Sequence, residues 1–363
     1  MDFNITLFKS FLKALESRCN ELLTFKDYFF NMRSTKTSSD SSFCILRHDV
    51  DRLPGNARQI AQLEAEFGIR GTFYFRIAPE VYNKRIIAEI AELGHEVGYH
   101  YEDIDLIVRR QKSIGSWLGA EVGCQKSEVI GQRSEVRSQK SVLWKEPLTS
   151  NNQQLTDLID LAMESFVKNL ERIRNIVDVK TICMHGSPMS PYDNRLLWTK
   201  YDYRDYGIIG EPYFDVDFSQ VAYYTDTGRR WDGESVSVRD KVDSKKYVVG
   251  SGVEQSSEVG GRRPEVGGQR SEVRGQRSEI RGQRSANDNR LPAPDPRNPI
   301  PGFPKFRSTH EMIKAIEDGR FPQKAMLTIH PQRWHDRPLP WVRELVWQRC
   351  KNVVKFILVR SRK

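Results

Sequence analysis

The stretch Phe43-Cys44-Ile45-Leu46-Arg47-His48-Asp49-Val50-Asp51 decides the fold. Four apolar residues, the length of a short buried strand, run directly into charge and imidazole, so one strand end brings two carboxylates to one spot. Parallel α/β enzymes present their reactive groups in this way, at the carboxyl ends of strands. Three later stretches repeat the design, each a short apolar run that stops at a histidine: Glu96-Val97-Gly98-Tyr99-His100, Thr181-Ile182-Cys183-Met184-His185 and Ala325-Met326-Leu327-Thr328-Ile329-His330.

Working outward, Pro54-Gly55-Asn56 breaks the chain before a helix over Ala57–Phe67, which Gly68 closes. A strand over Gly71–Phe75, a helix over Pro79–Leu93 and the strand ending at His100 follow, and this alternation implies parallel strands with helical crossovers. Further on, Leu155, Leu158, Ile159, Ala162, Phe166, Leu170, Ile173 and Val177 trace a long amphipathic helix leading to the strand that ends at His185. Tyr206–Gly210 and Val221–Tyr224 read as two more strands, and a helix over His310–Glu317 precedes the strand ending at His330, for seven strands in all. At the N-terminus, Phe3, Leu7, Phe11, Leu15, Leu22 and Leu23 predict an amphipathic packing helix within residues 3–30, with Ser34–Ser42 as a linker.

Two stretches break the pattern. Ala120–Lys126, Ser127–Arg133 and Ser134–Lys140 form a tandem seven-residue repeat, which returns as Ser257–Arg263, Pro264–Arg270, Ser271–Arg277 and Ser278–Arg284. A coiled coil needs two apolar positions per heptad and this unit offers one, with glycine weakening any helix further. Residues 115–141 and 251–290 are therefore expected to be low-complexity insertions without a core of their own. They divide a single α/β domain into residues 43–114, 142–250 and 291–345, flanked by an N-terminal segment 1–42 and a basic segment 346–363.

The insertions also decide how the net charge of +9 is read. Residues 251–290 carry eight arginines against six acidic residues, 115–141 carry four basic against three acidic, and 351–363 carry five basic residues and no acid. Basicity so peripheral and scattered does not describe a nucleic-acid surface. The five cysteines are odd in number and include no CxxC pair, which points to a reducing compartment rather than a disulfide framework or a cysteine zinc knuckle. No run of about 18 apolar residues occurs, and Lys9, Lys13, Glu16 and Arg18 interrupt any signal-peptide core, so the expectation is a cytoplasmic protein without stable membrane insertion.

Carboxylates and imidazoles gathered at strand ends suit a divalent metal with a hydrolytic water, because zinc accepts mixed His/Asp ligands and acidifies bound water. At these residues the chain resembles a known family. Ile45–Asp51, Phe67-Gly68-Ile69-Arg70-Gly71-Thr72-Phe73-Tyr74-Phe75 and Gly94-His95-Glu96-Val97-Gly98-Tyr99-His100 are similar to the opening of a polysaccharide deacetylase (NodB homology) domain, and Met326–Pro331 resembles that family's last catalytic motif. The close likeness covers about Phe43–Tyr101. It implies a distorted (β/α)7 barrel that removes N- or O-acetyl groups from a sugar or surface-polysaccharide precursor with a divalent metal, zinc by preference.

Carried over by position, the resemblance makes Asp49 the catalytic base and Asp51, displaced by the intervening Val50, the metal-binding aspartate, with the two roles open to exchange. His100 matches the first metal-binding histidine, and His330, in Thr328-Ile329-His330-Pro331, the general acid. The family's second histidine falls at Ile104, so His185 from another strand end or Glu102 has to complete the metal set; His185 also lies near where the family has an arginine that orients the base. His95 matches a position without direct chemistry. These departures resemble a divergent bacterial branch associated with surface polysaccharides. The other readings are a carbohydrate-binding or scaffold protein that has lost catalysis on the same fold, and another hydrolytic chemistry such as a phosphoesterase.

Overall fold

A computed structural model describes residues 2–33, 42–111, 151–186, 190, 192–231, 302–339 and 341–346, all belonging to one compact unit. The repeat insertions expected at 115–141 and 251–290 lie outside the described residues. In chain order the elements are α1 (Ile5–Arg18), β1 (Glu21–Leu23), α2 (Phe25–Arg33), β2 (Phe43–Val50), α3 (Pro54–Glu66), β3 (Thr72–Phe75), α4 (Lys84–Glu92), β4 (Glu96–Tyr101), α5 (residues 103–111), α6 (Asn151–Arg174), β5 (Ile182–Met184), α7 (Pro212–Asp215), β6 (Ala222–Thr225), α8 (Thr309–Glu317) and β7 (Lys324–Ile329).

The strands form one seven-stranded sheet in the order β5-β4-β3-β2-β7-β6, with β1 beside the first residues of β2. Every pairing is parallel, and the sheet curls into a half-barrel. All eight residues of β2 are buried, as expected of a central parallel strand covered on both faces. Its residues alternate between the faces. Cys44, Leu46, His48 and Val50 point to the helical layer, where His48 stacks on Phe73 at 4.1 Å and sits 2.9 Å from Glu64 of α3.

The inner face is polar. Arg47 lies opposite Thr72 and Thr328, Asp49 opposite Tyr74, Tyr74 opposite Gly98, and His100 opposite Cys183. Below the site, Glu96 accepts from Thr72 at 2.7 Å, from the Lys26 amide at 2.8 Å and from Thr181; burial pushes its carboxyl up. Gly98 is required by packing: a Cβ there would stand 2.4 Å from the Tyr74 ring and 2.8 Å from the Thr181 carbonyl, an overlap of the kind that costs about 1–3 kcal/mol or more.

Several expectations change. The N-terminal helix stops at Arg18, and Leu22 and Leu23 instead pair with Cys44 and Ile45. Pro54 does not merely break the chain but opens α3 as its first residue, a position where proline's missing N–H costs nothing. The strand expected at Tyr206–Gly210 is a 3₁₀ turn over Tyr203–Tyr206, capped by Asp202 onto the Arg204 amide and closed by Gly207 at φ 70°; only Gly210 reaches the sheet, through a single bridge to Thr181. The seventh strand is therefore β1. His95 is a joint between α3 and β3, accepting from the Gly71 amide through Nδ1 at 3.0 Å and donating from Nε2 to the Ala61 carbonyl at 2.9 Å. Among the described residues, no helix is long and apolar enough to cross a membrane.

Candidate metal centre

Four strand ends meet at one spot. The chain leaves β2 through Asp51, whose amide turns back to the Asp49 carbonyl at 3.1 Å while Arg76 holds the Asp51 carbonyl at 3.1 Å. His100 sits near the end of β4, His185 directly after β5, where its amide donates to the Tyr101 carbonyl at 2.9 Å, and His330 directly after β7. Parallel pairing puts these ends at the same edge of the sheet.

Asp51 is the focus. His100 Nε2 lies 3.5 Å and His185 Nε2 3.6 Å from its Oδ1, and His330 Nε2 lies 3.8 Å from its Oδ2. Each ring is backed at Nδ1: His100 donates to the Cys183 carbonyl at 2.9 Å, His185 faces Glu102 Oε2 at 3.2 Å, and His330 donates to Asp226 at 2.6 Å. A carbonyl or carboxylate at Nδ1 leaves Nε2 as the free lone pair, the arrangement that supports imidazole ligands to metals. Asp51 Oδ1 is buried and accepts no hydrogen bond. The ligand atoms of Asp51, His100 and His185 lie within 4.8 Å of one another and can hold a metal ion. The surrounding imidazoles bear on the charge of Asp51: burial alone would raise its carboxyl, but His100, His185 and His330 hold it well below the usual range.

Asp49 is placed differently. Both of its oxygens accept from Arg47, at 2.8 and 2.7 Å, and Oδ2 stands 3.8 Å from His100 Nε2. Burial works to raise its carboxyl, yet Arg47 and His100 keep it lowered, hence ionised. A second possible metal triad, Asp49–His100–Cys183, shares His100 with the first.

The structure thus brings together Asp49, Asp51, His100, His185 and His330, and it separates the two residues left open as the completing ligand. Glu102 takes Arg76 on Oε1 at 2.8 and 2.6 Å and stands behind His185 rather than beside Asp51; burial opposes its ionisation, but His185 and Arg76 pull it down to about 2. Ile104, where the resemblance puts the family's second histidine, is fully buried in the apolar core.

Four contributors were not read from the sequence: Arg47, Cys183, Asp226 and Arg333. Asp226 follows β6 and is saturated, accepting from His330 Nδ1, the His330 amide (2.9 Å), Arg333 (2.5 Å) and Trp334 Nε1 (3.0 Å). Against the cost of burial, Arg333 and His330 hold it lowered. Arg47 had a legible signal, since residues two apart on a strand share a face and Arg47 must meet Asp49. Asp226 had none, because its strand is four residues long and its partner lies 104 residues away.

Comparison of the chain with protein-family models, curated proteins and solved structures finds no match.

Proposed function

We propose that this chain is a metal-dependent hydrolase of the polysaccharide deacetylase type, built on a distorted (β/α)7 barrel and removing acetyl groups from the nitrogen or oxygen of a sugar. The observation that carries this reading is that the Nε2 atoms of His100 and His185 lie beside the unbonded Oδ1 of Asp51, with His330 Nε2 near its Oδ2 and a separately held carboxylate, Asp49, beside them. Asp51, His100 and His185 would hold the ion. Ligands about 2.0–2.2 Å from a tetrahedral zinc ion stand about 3.4 Å apart, close to the 3.5 and 3.6 Å between Asp51 and the two imidazoles. Zinc bound there would polarise the acetyl carbonyl and acidify a water.

The chain's own residues then divide the proton work. Asp49, ionised and fixed by Arg47, takes a proton from the attacking water. His330 gives one to the departing amine or alcohol, and Asp226 holds its Nδ1 so that Nε2 presents to the site. One observation favours the rival reading of a sugar-binding protein without turnover: Arg47 occupies both oxygens of Asp49, which weakens it as a base.

Acetate release from a panel of N- and O-acetylated sugars, nucleotide sugars and oligosaccharides separates the two. The expected result is release that stops on chelation and returns with zinc. A protein that binds zinc yet releases acetate from none of them supports sugar binding alone, and one that binds no metal overturns the reading.

A further inference from the structure

A group of ligand atoms lies on the far side of His185 from Asp51. Glu102 Oε2, Asp105 and His185 Nδ1 offer ligand atoms within 4.8 Å of one another. Glu102 and Asp105 are each 1% exposed, and Glu102 Oε2, Asp105 Oδ1 and His185 Nδ1 are all buried atoms that make no hydrogen bond. His185 Nδ1 and Glu102 Oε2 face each other at 3.2 Å, which leaves Asp105 Oδ1 without any partner, where buried polar atoms in folded proteins almost always have one.

The simplest alternative is the preference of helix starts for acidic side chains, since Glu102 and Asp105 stand at the beginning of α5. That preference does not account for Asp105. Its Oδ1 accepts from no amide, while its Oδ2 accepts from Asn194 at 3.2 Å and its own amide donates back to Asn194 Oδ1 at 3.2 Å. Asn194 in turn donates to the His185 carbonyl at 2.9 Å, so one buried amide fixes both Asp105 and the backbone of His185. Glu102 is fixed by Arg76 on Oε1, and its Oε2 faces only His185 at 3.2 Å and the half-exposed Arg109 at 3.6 Å. Asn194 and Arg76 thus anchor side chains whose ligand atoms lie within 4.8 Å of one another.

We infer that Glu102, Asp105 and His185 Nδ1 form a second divalent-cation position, joined to the first through the His185 ring. The inference rests on the proposed reading of the first position, Asp51–His100–His185. A mixed set of two carboxylate oxygens and one imidazole nitrogen suits zinc, cobalt or manganese. With both positions filled, His185 would ligate through both ring nitrogens and would release its ring proton to solvent, so no further reactant is needed.

The test is the number of ions held. Metal-free full-length protein is titrated calorimetrically with zinc chloride, and the metal retained after dialysis is measured. The wild type is expected to hold two equivalents, and Asp105→Asn and Glu102→Gln one each, with both variants shown by circular dichroism to melt as folded proteins. One equivalent in the wild type, or two in either folded variant, overturns the second position and leaves the first standing. No retained zinc in the wild type removes the first position as well. If one variant fails to fold, the wild-type count and the other variant decide.

Discussion

Asp49 and Asp51 are two residues apart on one strand end, yet their neighbours give them different work. Asp49 is locked by a bidentate guanidinium, whereas Asp51 has one oxygen with no hydrogen bond and three imidazoles around it. The proposed function accordingly gives Asp49 the role of base and Asp51 that of ligand. On a sugar that releases acetate, Asp49→Asn and His330→Ala should each lower kcat by about 10²-fold or more, and His330→Ala should also lose the limb of the pH profile that reports the acid. Near-full turnover by His330→Ala would return it to the plain role of ending β7. The five site residues were legible because a histidine or aspartate that stops an apolar run is visible in one dimension. Cys183 and Asp226 were not, because their meaning depends on pairing across the sheet.

Among the elements, long or strongly apolar segments were readable and short ones were not. β2, β4 and β7 are buried runs that stop at an aspartate or histidine and α6 shows a helical period, whereas β1 has three residues and shows neither. Tyr206–Gly210 looked like a strand for its apolar content, but Asp202 and Gly207 enforce a turn. The joint between β4 and α6 yields a test at this scale. Asp103 is fully buried and accepts from Tyr99 at 2.7 Å, Ser165 at 2.7 Å and Asn169 at 2.8 Å. Burial outweighs these donors and raises its carboxyl from 3.8 to about 6. A carboxyl raised in the folded state favours folding below the unfolded value, and that contribution is lost as pH rises through the folded one. In metal-free protein, the melting temperature of Asp103→Asn relative to wild type should therefore shift in the variant's favour between about pH 4 and pH 7. A difference that stays constant with pH would contradict the assignment.

Across the whole molecule, the meeting of the strand ends depends on β2 and β7 being neighbours, paired from Phe43–Lys324 to His48–Ile329. That pairing brings residues from near the two ends of the chain to one site. The described sheet has β5 and β6 as its outer strands. α1 helps to cover the β7 side, where Phe3 and Phe8 pack on Trp334 at 5.1 and 4.9 Å, so the N-terminal helix supports the loop that carries His330, Arg333 and Trp334. The repeat segments offer no periodic apolar face, and a variant lacking residues 115–141 and 252–285 should keep its fold. Its thermal midpoint should match the full chain, and a large drop would show that the repeats pack.

The central claim is that the strand ends form a metal centre on Asp51, and anomalous diffraction at the zinc edge, from crystals of the protein grown with zinc, addresses it most directly. The account predicts a peak about 2.0–2.2 Å from a carboxylate oxygen of Asp51, His100 Nε2 and His185 Nε2. The absence of a peak there, or a peak only on the alternative triad of Asp49, His100 and Cys183, would contradict it.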